Sequence, residues 1–180
     1  MHELTDRELY QALAYAKSLD EEHGKQIMVQ FELDQSGIYQ TIFGIFPAII
    51  AEHNQEMAYL FMDLCFDVIC VFQHAFGDPP HNGRDPAWLE KQVSLLDAEL
   101  QSLIQSNTME EKIRKNLQER FTKRSGYEVF QTGLVKFLNE AIDEHASLNI
   151  SRVPSIKITQ TLMYAVVRLF SNLYSSSTKH

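Results

Sequence analysis

No lysine or arginine occurs from Gln26 through Gly83, although Glu32, Asp34, Glu52, Glu56, Asp63, Asp67 and Asp78 all fall in that stretch. The whole chain carries a formal net charge of −8 at pH 7. Phosphate backbones are held by concentrated Lys/Arg surfaces, so this balance argues against nucleic acid as a partner. Cysteine is scarce over the whole chain, with only Cys65 and Cys70 present. On one helix their spacing puts them on different faces and roughly 8 Å apart, which predicts two buried, reduced thiols and a reducing compartment. The N-terminal Met1-His2-Glu3-Leu4-Thr5-Asp6-Arg7 lacks the basic-then-apolar pattern of a secretory signal, and a cytoplasmic protein is expected.

Short chemical motifs are missing as well. There is no Gly-rich phosphate loop, no His-Glu-x-x-His helix, no Gly-x-Ser-x-Gly elbow and no Cys-x-x-Cys. Their absence removes the readily assigned enzyme classes and leans the reading away from catalysis. Seven glycines and five prolines are too few and too scattered for a low-complexity chain. No stretch alternates with period two for long enough to demand a strand. Two segments, 38–51 and 57–72, are apolar enough to raise a membrane span. The first holds Gln40 and Pro47, and the second holds Asp63 and Asp67 near its middle, where an ionised carboxylate in hydrocarbon is costly. Buried core helices explain both, and no membrane is expected.

What remains is an ordinary globular composition of 180 residues, 44% hydrophobic, enough for one core without disulfides or a structural metal. The fold class expected is all-α: a single-domain bundle of six or seven helices around a long apolar central helix. Thr5 with Glu8 reads as a capping box, and Leu9, Leu13 and Ala16 follow at helical spacing, predicting a first helix to about His23 that stops at Gly24. From Lys25 the pattern resumes, with breaks or kinks expected at Ser36-Gly37, Gly44 and Pro47. The central helix is placed at about 48–76, hydrophobic nearly all round. Loop signals then gather at 77–86, with Asp85 suited to cap a helix beginning at Pro86. Antiparallel helices at about 86–106 and 109–124 follow. Next come a helix carrying Phe130, Leu134, Phe137, Ala141 and Leu148, a loop over 149–155, a final helix over about 155–175, and a frayed tail over 175–180.

Two constellations stand out. On the central helix, Glu56, Asp63, Asp67 and His74 fall within one narrow strip, with His53 at its edge. Carboxylates and imidazoles on bundle helices are the ligands of divalent transition metals, so these five residues are the candidate metal set. Glu56 and His74 lie roughly 27 Å apart at the helical rise, so only near neighbours such as His53 with Glu56, or Asp63 with Asp67, can share an ion. The bland alternatives are a solvent-facing line on an otherwise buried helix, or a polar network between helices. His145, on the apolar face of its helix, reads as a satisfied core histidine.

The second constellation suits contact with a partner. Leu89, Val93, Leu96 and Leu100 follow heptad-like spacing, and Lys112 and Lys115 belong to a basic cluster with Arg114, Arg120, Lys123 and Arg124. With Glu110, Glu111 and Glu119 interleaved, that cluster is in its plainest reading a solvated helix face. The function expected is therefore a small helical interaction or regulatory protein acting through helix surfaces, with a protein partner or a second copy of itself. A metal-binding helical bundle with carboxylate and His ligands is the rival, and an apolar-ligand-binding helical regulator a third reading.

Overall fold

The computed structural model describes residues 1–92, 94 and 129–175, and over these the chain is helical with no strand. Helix α1 spans Asp6–Ser18 and opens with the capping box read from sequence. The Thr5 backbone N–H donates to Glu8 at 2.9 Å, and the Glu8 N–H donates back to the Thr5 hydroxyl at 3.3 Å. The Thr5 N–H and the Thr5 hydroxyl, which donates to the same carboxylate at 2.8 Å, with His2 alongside, hold the Glu8 carboxyl down at about 2. The first helix ends earlier than Gly24, however. Leu19 turns extended and Asp20 caps a separate helix α2, Glu21–Asp34, by accepting the His23 N–H at 2.9 Å. An Asp cap followed by two glutamates in the first turn favours a helix start there, and Gly24 is carried inside α2 instead of ending α1.

The breaks expected around 36–47 take a specific form. Helix α3, Ser36–Gln40, widens into a π-helical turn over Thr41–Ile45 and resumes as α4, Phe46–Ala51. Pro47 brings no N–H, and its ring would collide with the carbonyl four residues back in a regular helix. Widening the preceding turn relieves that collision, and the Phe46 N–H reaches back to the Thr41 carbonyl. The central helix consequently starts later than expected. Asn54 accepts the Met57 N–H at 3.0 Å and launches α5, Gln55–Phe76, which ends at Gly77 with φ 83°.

The loop that follows folds back on the α2–α3 junction, where Arg84 pairs with the Asp34 carboxylate and Gln35 donates to the Pro80 carbonyl at 2.9 Å. Asp85 accepts the Ala87 N–H at 3.0 Å and so caps the helical residues from 86, as its position suggested. Most of the two helices expected over 86–106 and 109–124, and the tail beyond Ser175, lie outside the described residues. Helix α6, Thr132–Ser147, and helix α7, Ile156–Ser175, complete the bundle, joined by a 3-10 segment over Ile150–Ser155 where a loop was expected.

The all-α expectation holds, with seven α-helices among the described residues and α5 at the centre. By length and composition alone α5 is apolar enough to cross a membrane, yet half of that window is buried inside the protein. Helices α1, α4, α6 and α7 all pack on it. Phe72 sits in an aromatic cluster with Phe76, Phe170 and Tyr174, at ring-centroid distances of 5.8, 5.3 and 5.3 Å, and Phe31 of α2 stacks on Phe170 at 5.7 Å. Gln131 ties the N-terminus down, accepting from the Leu4 N–H and donating to the His2 carbonyl, both at 2.8 Å. Cys65 and Cys70 are free and buried, as read from sequence.

Candidate functional site

The polar strip of α5 does not act as one unit. His53 precedes the helix in the 52–54 corner and is exposed, as are Glu56, Asp63 and His74, whereas Asp67 is buried. Each paired member has its own partner. Asp67 accepts a hydrogen bond from the Lys17 ammonium of α1 at 2.6 Å, with its side chain only 4% exposed. His74 stacks on Tyr15 of α1 at 4.7 Å, and Glu56 pairs with Arg152 at 2.7 Å. Burial raises the Asp67 carboxyl above its ordinary value, with Lys17 pulling the other way. Burial, with the Asp67 charge nearby, pushes the Cys70 thiol up to about 12.

This arrangement gives the metal reading of His53, Glu56, Asp63, Asp67 and His74 no support among the described residues. The one buried carboxylate is taken by an ammonium, the group that most directly opposes a cation. Among the described residues no three His, Cys, Asp or Glu side chains gather closely enough to hold an ion. The strip is partly a solvent-facing line and partly a polar contact between α1 and α5. His145 is half-buried, its carbonyl accepting from Arg152 at 2.8 Å.

Of the residues singled out for contact with a partner, Leu89 is half-buried and packs into the protein's own core beside α3. A Cβ on Gly37 would lie 2.5 Å from a Leu89 methyl, so the glycine is what admits this side chain. Val93, Leu96, Leu100, Lys112 and Lys115 lie outside the described residues.

A surface that sequence reading passed over lies between α6 and α7. Leu148, Ile150 and Val153 are exposed by 76%, 87% and 49%. Of the polar residues of the same segment, Arg152 and Ser155 turn inward, while Asn149 and Ser151 stay exposed and hold the backbone. The Arg152 side chain, 14% exposed, bridges the His145 carbonyl and the Glu56 carboxylate. Asn149 accepts the Ser151 N–H at 3.0 Å, and Asn54 donates to the Ser151 carbonyl at 3.3 Å. Pro154 fixes its own backbone angle within the 3-10 turn, and Ser155 is fully buried, its carbonyl accepting from Thr159 at 2.8 Å. Aliphatic side chains of this segment stand in water beside exposed Asn149 and Ser151, while Arg152 turns inward. Sequence spacing put Leu148 on the apolar side of the preceding helix and Ile150 and Val153 in the loop after it; Leu148 is instead the cap residue after α6 and stands in solvent.

Compared with known proteins, the chain matches no family model, no curated protein and no solved structure.

Proposed function

We propose that this protein is a small helical interaction or regulatory protein, working through surfaces that its helices hold in place. The observation that carries the reading is the 148–153 corner, where three aliphatic side chains stand in solvent while Arg152 turns in to the His145 carbonyl and Glu56. Burying one such side chain against a partner contributes about 1.5–3 kcal/mol. A corner already ordered by Arg152, Asn149 and Pro154 loses little freedom on binding, so most of that gain reaches affinity. Association between copies belongs to the same reading, and its basis is the rest of the heptad-like spacing, Val93, Leu96 and Leu100, together with the split between acidic and basic segments.

Two measurements test it. Light scattering of the full chain at rising concentration is expected to show association between copies. A neutral environment-sensitive dye such as Nile red is expected to bind the folded protein and to lose that binding in Leu148→Ser/Ile150→Ser at unchanged melting temperature. A strictly monomeric protein that binds no dye removes the reading.

A further inference from the structure

The side chain of Gln131, just ahead of α6 and 1% exposed, is spent wholly on a distant stretch of backbone. It accepts from the Leu4 N–H and donates to the His2 carbonyl, both at 2.8 Å, and so grips the main chain of Met1–Leu4. These residues have no regular secondary structure and lie across the bundle as a strap. Leu4 drops into the core, the Thr132 N–H donates to the Glu3 carboxylate at 3.2 Å, and the His2 ring stands edge-on to Phe76 at 5.6 Å. We propose that the seat beneath this strap is a binding slot for an extended peptide of another protein, with a carboxylate and then an apolar residue at the places of Glu3 and Leu4. The strap fills the slot as a displaceable competitor within the chain.

The strap can lift without α1 leaving, because α1 is held by contacts of its own. Leu9, Ala12 and Ala16 are buried, Thr5 and Glu8 close the capping box, Lys17 reaches Asp67 and Tyr15 stacks on His74. An emptied seat leaves the buried Gln131 amide without its donor and its acceptor, which is costly, so a replacement segment is favoured over a vacant slot. Any extended chain offers the same N–H and C=O pair whatever its side chains, as in strand addition to a sheet edge. Gln131 therefore supplies affinity without sequence, while the Leu4 pocket and the Thr132 N–H supply selectivity. The slot is separate from the 148–153 corner and does not depend on it.

The probe is a fluorescently labelled peptide copying residues 1–8, titrated against the full chain and against full-length Leu4→Ser, whose strap has lost its anchor. Apparent affinity scales with the fraction of molecules whose slot is open, so Leu4→Ser is expected to bind the peptide at least about tenfold tighter than the parent. Adding Gln131→Leu to Leu4→Ser should abolish that binding, as should serine in place of the peptide's leucine. Leu148→Ser/Ile150→Ser should leave it unchanged, which separates this test from that of the corner. Equal affinity of the parent and Leu4→Ser, retention of binding with Gln131→Leu, or no binding by either folded protein overturns the proposal. Dimers of the parent that dissolve in Leu4→Ser assign the strap to a second copy and overturn it as well. Amide hydrogen exchange on the parent chain decides the matter even if Leu4→Ser does not fold. Saturating peptide is expected to speed exchange of the Leu4 N–H while the α1 amides stay protected, and an unchanged Leu4 rate overturns the proposal.

Discussion

Asp67 and Lys17 form an ion pair that is buried at one end only. The carboxylate is almost fully enclosed while the lysine side chain is 65% exposed, so the attraction is screened and does not fully offset the cost of taking the carboxylate from water. The net result is a carboxyl raised from its ordinary value. A folded-state value above the unfolded one means that the folded chain holds this proton longer. The contribution of Asp67 to stability is therefore fully present at pH below its unfolded value and is lost as pH rises through the folded one. Lys17→Met removes the partner and should cost about 1–2 kcal/mol at pH 7, after discounting for the exposed lysine, with the loss shrinking on acidification. Asp67→Asn should leave stability at pH 7 equal or higher and flatten its dependence between neutral and acid pH. Urea unfolding of the variants at pH 7 and at about pH 4.5 compares them directly. A Lys17→Met penalty that grows on acidification would contradict this account of the pair.

At the level of elements, caps decide where helices begin more firmly than glycine decides where they end. Thr5 with Glu8, Asp20 with His23, and Asn54 with Met57 each supply a side-chain acceptor for an orphan backbone donor. Gly24 in the interior of α2 stops nothing. A Cβ there would sit 3.5 Å from the Phe66 ring, in ordinary contact, and the backbone already has helical geometry. Gly24→Ala should therefore raise stability by about 0.5–1 kcal/mol, read as a higher melting temperature. Gly37 offers the contrast, since a Cβ there would meet Leu89 at 2.5 Å. Proline, too, acts on its neighbours: Pro47 stays within the 36–51 helical stretch because the turn before it widens to π geometry. Capping boxes, the Gly77–Pro86 loop signals and apolar periodicity were legible because each depends on a few consecutive residues. The α1–α2 break was misplaced because Asp20 can act as either the tail of one helix or the cap of the next, and only the packing of both helices selects between them.

For the molecule as a whole, α5 is the axis on which α1, α4, α6 and α7 converge. Phe72 marks the point where that axis meets α7 and, through Phe170, α2. It is fully buried among rings of α5 and α7, with Phe31 of α2 stacked on Phe170 behind them, so Phe72→Ala opens a cavity that no single neighbour can fill. A loss of about 3–5 kcal/mol is expected, with α1, α5 and α7 unfolding together in chemical denaturation. If instead the α7 signal melted separately from that of α5, the bundle would not be one cooperative core.

The sequence by itself determined that the chain is helical, that its longest apolar stretch is an interior helix, and that its thiols are buried. Those properties follow from periodicity, composition and caps, which act over one or two turns. It also drew attention to the strip Glu56, Asp63, Asp67 and His74, yet not to what meets it. Lys17 and Asp67 are fifty positions apart, and Glu56 and Arg152 ninety-six. Only the tertiary structure brought those partners together, resolving the strip into separate contacts with α1 and with the segment before α7. The same kind of long-range pairing set Arg152 against Glu56 and the His145 carbonyl, while Leu148, Ile150 and Val153 stand in solvent.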